Sequence, residues 1–189
     1  FASSKGLVRP EDEKFSGFVF KIQANMNPKH RDRVAFVRIC SGRFERGMDV
    51  THAQTGKSYR LLRPYKLFAN EREIIDEAVP GDILGLPNTG KFGIGDTLCE
   101  DKPFKFEPIP RFHPEHFALL RNMDLGKQKQ FSKGLQQLET EGAVQVLYNV
   151  DAFKREPILA VVGELQFDVV QARLESEYNV PTTLEHQSI

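Results

Sequence analysis

The apolar periodicity of the chain changes near residue 100, and this change is what most restricts the fold. Before it, short runs such as "FSGFVFKIQA" at 15–24 alternate apolar and polar side chains, the period-two pattern of half-buried β-strands. After it, Phe131, Leu135 and Leu138 recur at i, i+4 and i+7, the spacing of one face of an amphipathic helix. We therefore expect two domains of different class.

Residues 15–100 are predicted to form one all-β domain. The run "RVAFVRICSGRF" at 33–44 is rich in β-branched and aromatic residues, and prolines and glycines cut the remainder into pieces of strand length. Many short strands with turns at about 8–12-residue spacing favour a closed barrel or a sandwich. We assign residues 1–14 to an N-terminal extension.

Residues 101–110 are predicted to be a linker, and residues 111–189 a second domain. The segment "EDKPFKFEPIP" at 100–110 carries three prolines, which favour an extended chain. The elements that follow have the order β-α-β-β-α-β of ferredoxin-like folds, with the second helix in "ELQFDVVQARLESEY". Such a fold places both helices on one face of the sheet and leaves the other face free for a partner.

The tripeptide Gly56-Lys57-Ser58 looks like the end of a phosphate-binding loop, but its surroundings do not fit one. The loop G-x-x-x-x-G-K-[ST] needs a glycine where this chain has Thr51, and it needs a helix after the Ser or Thr. Pro64 and the absence of a helical stripe argue against that helix. We expect a hairpin turn in which Gly56 supplies a positive φ.

The histidines do not indicate a catalytic or metal site. His113 and His116 lie close together, but no further Cys or His cluster supports them, and a zinc site needs three or four ligands. His30, His52 and His186 are isolated, without a partnered Ser, Cys or Asp that would make a nucleophile. We therefore predict no catalytic, cofactor-binding or metal-binding residues, which disfavours a stand-alone enzyme.

Overall composition limits the partners and the compartment only loosely. The 26 basic and 26 acidic residues balance, so net charge gives no attraction to nucleic acid or membrane. No apolar run approaches the 18 residues or so of a membrane span. Cys40 and Cys99 lie in strand-like runs, where we expect buried free thiols in a reducing cytoplasm.

The most informative stretch is "NPKHRDRVAFVRICSGRFERG" at 27–47, which carries six basic residues against two acidic ones. A charge run is usually a solvated face. The alternative is contact with a nucleic-acid backbone, because arginine binds phosphate bidentately without reading sequence. Lysines near the start of the first helix oppose its dipole, so a partner would help explain them. The candidate contacts are Lys29, His30, Arg31, Arg33, Arg43, Arg46, Lys127, Lys129 and Lys133.

Long segments of the chain resemble bacterial peptide chain release factor three, the GTPase class of release factor. The segment "FSGFVFKIQANMNPKHRDRVAFVRICSGRFERGMDV" is similar to domain II of that family, and "PGDILGLPNTGKFGIGDTL" to the closing strands of the same barrel. The segments "KQKQFSKGLQQLETEGAVQVL" and "VGELQFDVVQARLESEYNV" resemble the helix segments of its next domain. The resemblance covers nearly the whole chain.

The resemblance implies an all-β translation-factor barrel, domain II, followed by a ferredoxin-like βαββαβ domain III. It implies the ribosome-binding part of a GTP-dependent factor that promotes dissociation and recycling of class I release factors in translation termination. The implied partners are small-subunit rRNA, a ribosomal protein, the class I factor and the protein's own GTPase domain. We expect a cytoplasmic monomer without membrane contact.

The resemblance also implies that nucleotide chemistry belongs to a part of the family that this sequence lacks. GTP or GDP with Mg²⁺ would bind the N-terminal GTPase domain, whose motifs are absent here. Because the sequence also has no initiator Met, we expect a piece of a longer protein. The alternative is the same pair of domains from an elongation factor G relative or a ribosome-protection protein, and "NPKHRDRVAF" favours the release factor.

Overall fold

The computed structural model describes residues 1–24, 33–68, 71–110, 112–149 and 156–187. The chain divides into two compact units, Phe1–Ile109 and Pro110–Ile189, each with its own hydrophobic core. The division therefore falls at the end of the segment 101–110 that was predicted to link two domains.

The regular elements described in the first unit are all antiparallel β-strands. Eight of them form one sheet in the order β7-β6-β12-β3-β4-β11-β8-β9, while β1 pairs with β2 and β5 pairs with β10. The strands are β1 (Ala2–Ser3), β2 (Gly6–Leu7), β3 (Ser16–Ala24), β4 (Arg33–Ser41), β5 (Phe44–Glu45), β6 (Asp49–His52), β7 (Lys57–Arg60), β8 (Tyr65–Phe68), β9 (Glu71–Ile74), β10 (Glu77–Ala78), β11 (Ile83–Pro87) and β12 (Thr97–Cys99).

The large sheet curls around one main core, as expected for a barrel domain. Val50 of β6, Ile22 of β3 and Leu84 of β11 are all buried in this core although their strands are not neighbours. Irregularities in the β3–β4 pairing, at Ser16/Gly17 and Val19/Lys21, supply local bends, because a bulge increases the twist of a strand. The prediction of an all-β domain over residues 15–100 is confirmed in its fold class.

The segments on either side of residues 15–100 also belong to the first unit. A small second core contains Val8, Cys40, Cys99, Phe104 and Phe106. Phe104 and Phe106 are thus packed rather than free, and the backbone of Phe106 bridges to Ser3. The structure corrects the linker prediction here, because the prolines of 101–110 indicated an extended chain but not that two phenylalanines between them are buried.

Both cysteines are buried free thiols. Burial raises the pKa of the Cys40 thiol to about 11, and it also raises the pKa of Cys99. Since the thiolate is the reactive form, neither side chain is set up as a nucleophile at neutral pH.

Glu100 ties the end of β12 to the start of β3. Its Oε2 accepts a hydrogen bond of 3.0 Å from the backbone N–H of Phe15, and its Oε1 one of 2.9 Å from Nζ of Lys14. These two donors, the backbone N–H first, lower the pKa of the Glu100 carboxyl below its usual value. The carboxylate therefore stabilises the fold above the unfolded-state pKa, and this contribution is lost as the pH falls through the folded-state pKa.

We expect Glu100→Gln to lower the free energy of unfolding by about 1 kcal/mol at pH 7, the usual size of one such hydrogen bond. The difference from the parent should shrink as the pH falls below about 4, where the unfolded-state carboxyl becomes protonated, and it should vanish once the folded-state carboxyl is protonated too. Urea unfolding at pH 7 and at acid pH measures it, with the exposed Glu107→Gln as the control. An equal loss at both pH values would contradict the assignment.

The second unit has the predicted ferredoxin-like order. Its sheet is antiparallel with the strand order β14-β15-β13-β16. The elements are β13 (His116–Asn122), a 3-10 turn (Leu125–Lys127), α1 (Gln128–Thr140), β14 (Gln145–Tyr148), β15 (Pro157–Val161), α2 (Leu165–Tyr178) and β16 (Thr182–Gln187).

Both helices cover the same face of this sheet. Leu120 of β13, Leu138 of α1 and Leu174 of α2 share one core. The helices approach closely at Gly134, where an added Cβ would lie 2.8 Å from Cδ2 of Leu174. A glycine inside α1 costs about 1 kcal/mol relative to alanine in helix propensity, and the close approach of α2 accounts for it.

Among the described residues, no helix has the length and apolar character that a membrane crossing requires.

Candidate nucleic-acid interface

The predicted basic loop is only partly visible in the structure. Lys29, His30 and Arg31 lie outside the described residues. Arg33 begins β4 opposite Ala24 of β3 and is half-buried. The contact proposed for this loop therefore remains a prediction from the sequence.

Arg43 and Arg46 are exposed but already neutralised by carboxylates of the same unit. Arg43 forms an ion pair with Glu77. Arg46 places Nη1 3.1 Å from Oδ1 of Asp76, and its Nε donates to the carbonyl of Leu62 at 3.2 Å. To bind phosphate, either arginine would first have to break its ion pair with a carboxylate. Both are therefore weaker candidates for phosphate contacts than their exposure suggests.

The pairing of β5 with β10 explains these ion pairs. Ala78 lies opposite Phe44, which brings Asp76 and Glu77 beside the two arginines. The sequence of residues 28–46 alone could not reveal these ion pairs, because Asp76 and Glu77 lie about thirty residues further along the chain. The same neighbourhood forms a shallow depression that contains Arg63, an exposed arginine that the sequence analysis did not single out.

Lys129 and Lys133 are the clearest exposed cations of the candidate set. They lie four residues apart on α1 and therefore share one face of the helix. Lys127 differs from them, because its Nζ lies 3.4 Å from Oδ2 of Asp124. Asp124 also caps the 3-10 turn that precedes α1, because its side chain accepts a 3.0 Å hydrogen bond from the N–H of Gly126.

The hairpin prediction for the Gly56-Lys57-Ser58 tripeptide is confirmed. β6 and β7 pair antiparallel, and the N–H of Gly56 donates to the carbonyl of His52 at 2.8 Å. Gly56 has φ of +69°, and no helix follows Ser58, which is part of β7. The helix N-terminus that a phosphate-binding loop requires is therefore missing at this position.

His52 is not isolated, contrary to the prediction. It is buried beneath the hairpin, where Nδ1 lies 2.9 Å from Oγ1 of Thr55 and Nε2 lies 2.7 Å from Oδ2 of Asp96. The second contact is close, although its geometry is not that of a hydrogen bond. The imidazole also packs against the rings of Tyr59 and Phe92. Because Thr55 sits on an exposed turn, we interpret this set as a cross-link between the hairpin and the turn before β12.

His113, His116 and His186 are the other histidines that the structure describes, and each is a possible metal ligand by residue type. Nδ1 of His116 lies 3.4 Å from Oε1 of Glu164. Within the described ranges, no three His, Cys, Asp or Glu side chains come together as a cation site would require.

Two family models match the two units of the chain. The model "Elongation factor G domain 2" matches residues 14–101, and "Class II release factor RF3, C-terminal domain" matches residues 106–189. A crystal structure of ttk003000868 from Thermus thermophilus aligns over 94% of this chain and 26% of that chain, with a TM-score of 0.79 and 23% identity. At that identity the alignment supports the fold alone.

Curated relatives match across nearly the whole chain. Proteins named peptide chain release factor 3 are 61% identical in Gloeobacter violaceus, 61% in Microcystis aeruginosa and 58% in Acaryochloris marina, each over 97% or 98% of this chain. The chain spans about a third of their length, 35%, 34% and 34% respectively. These relatives and the C-terminal family model distinguish the chain from the elongation factor G alternative, which the barrel alone would allow. The chain belongs to the peptide chain release factor 3 family.

Proposed function

We propose that this chain is the ribosome-binding part of a GTP-dependent release factor that promotes dissociation and recycling of class I release factors in translation termination. The observation that carries the proposal is 61% identity with a peptide chain release factor 3 over 97% of the chain, which includes both units. The two-unit fold, a barrel domain followed by a ferredoxin-like domain, agrees with the pair of family models.

In this proposal, each unit has a separate role. The barrel unit contacts small-subunit rRNA and the protein's own GTPase domain, and the ferredoxin-like unit faces a ribosomal protein and the class I factor. GTP or GDP with Mg²⁺ is bound outside this chain. The factor acts in the cytoplasm as a monomer. The proposed phosphate contacts are Lys29, His30 and Arg31 of the basic loop in the barrel unit. On α1 of the ferredoxin-like unit, the exposed pair Lys129 and Lys133 adds an rRNA contact to that unit's protein partners.

A chimera tests the proposal. This chain replaces the matching third of a curated relative, and dissociation of a class I factor from purified termination complexes is followed with GTP. We expect a rate within a few-fold of the relative's own. The control chimera carries the corresponding segment of an elongation factor G and should be inactive in this assay. If the first chimera hydrolyses GTP on ribosomes but does not accelerate dissociation, the proposed function is wrong.

A further inference from the structure

Helix α2 exposes apolar side chains on its outward face as well as burying them on its inward face. Leu165 is 78% exposed and Val169 is 52% exposed, and Ala172 is exposed as well. Their spacing of i, i+4 and i+7 places them in one row along the helix. Isolated exposed apolar residues are ordinary, but a continuous row is typical of a surface that binds a partner.

An acidic row lies beside this apolar row. Asp168 and Glu175 are exposed and seven residues apart, so they share one side of α2. Within the part of the chain that the structure describes, neither side chain forms an ion pair with a basic group. No basic side chain of the described residues therefore pairs with either carboxylate at the edge of the apolar row.

The single arginine of α2 does not balance this charge. Nε of Arg173 lies 2.6 Å from Oε1 of Glu177, and its Nη1 lies 2.7 Å from Oε2 of Glu141 at the end of α1. Burial alone would lower the pKa of Arg173, but these two carboxylates outweigh it and raise the pKa. With Arg173 held by two acids, the outward face of α2 is net negative.

We propose that this face, the α2 surface formed by Leu165, Asp168, Val169, Ala172 and Glu175, docks a positively charged protein segment that also carries apolar side chains. A negative surface repels nucleic-acid phosphate, whereas lysine or arginine beside an apolar anchor complements both rows. The inference rests on the proposed function, since it assigns the partner to a protein component of the ribosome. It separates the α2 surface from the cationic face of α1, where Lys129 and Lys133 lie.

Photocrosslinking tests the docking surface directly. Val169 is replaced with p-benzoylphenylalanine in the 189-residue chain, which is irradiated with purified bacterial ribosomes, and the products are identified by mass spectrometry. We expect crosslinks to a lysine- and arginine-rich protein segment. The matched control carries the photoreactive residue at Glu139, an exposed position on α1, and should not give that product.

Charge reversal supplies the second readout. Asp168→Lys with Glu175→Lys should reduce the Val169 crosslink by about tenfold, because like charges would then face each other. Reversal of Glu139 to lysine is the control and should leave the yield unchanged. An unchanged yield in the double variant would overturn the assigned charge of the partner.

The remaining outcomes distinguish this inference from the proposed function. Crosslinks to rRNA, or to another part of this chain or a second copy when ribosomes are absent, would overturn the docking surface. Ribosome binding without any crosslink from position 169 would overturn it as well and leave the proposed function standing. A parent chain that binds no ribosomes would overturn both.

Discussion

Replacing Gly42 with alanine is expected to lower the free energy of unfolding of the first unit by about 3 kcal/mol or more, the range of severe backbone and packing conflicts. Gly42 has φ of +67°, and a Cβ there would lie 2.4 Å from both the carbonyl carbon of Lys14 and the backbone nitrogen of Phe15. These are backbone atoms immediately before β3, and the side chain of Phe15 is fully buried, so they cannot move aside cheaply.

Gly56→Ala is the matched control for this prediction. Gly56 has nearly the same φ, +69°, but nothing lies within 4 Å of the position that its Cβ would take. Gly56→Ala should lower the free energy of unfolding by only about 1–2 kcal/mol, the cost of placing a residue with a Cβ in the left-handed conformation. Guanidinium unfolding of both variants separates the conformational cost from the steric one. Equal losses would mean that the close approach at Gly42 does not matter.

The second large effect is expected in ribosome binding. The double variant Lys129→Glu, Lys133→Glu should weaken the affinity of the chain for ribosomes about tenfold or more. The slope of log affinity against log salt should become shallower by about two, one for each phosphate that is no longer neutralised. Both side chains are exposed on one face of α1, so reversal should not disturb the core.

A charge-matched double variant controls for long-range effects. Lys57→Glu with Lys102→Glu changes net charge equally at two exposed positions outside the candidate set. It should alter the affinity much less and keep the parent's salt slope. If both double variants behave alike, Lys129 and Lys133 do not bind phosphate.

Replacing Arg46 with glutamate should weaken ribosome binding less than reversing Lys129 and Lys133, because Arg46 already forms an ion pair with Asp76.

Local patterns predicted the regular elements and their order well. The alternation in residues 15–24 corresponds to β3, and the spacing of Phe131, Leu135 and Leu138 corresponds to α1. The turn at Gly56 was also predicted, because a missing first glycine and a following proline are local facts. Patterns of this kind are set by which side chains must be buried within a few residues of each other.

Contacts between distant segments were not predictable in the same way. The burial of Phe104 and Phe106 depends on Val8 and Cys40, which lie more than sixty residues away in the chain. The pairing of His52 with Asp96 and of Arg46 with Asp76 likewise joins segments that are far apart in the sequence. No window of sequence contains both partners, so their charge and burial could not be inferred from either one.

By itself, the sequence determined that the chain has a β domain followed by a ferredoxin-like domain, that it lacks a phosphate-binding loop at Gly56, and which family it resembles. Only the tertiary structure decided which of its charges are available to a partner. Strand pairing places acids beside Arg43 and Arg46, while α1 leaves Lys129 and Lys133 exposed. The physical reason is that periodicity records burial along one element, whereas charge neutralisation depends on which elements become neighbours.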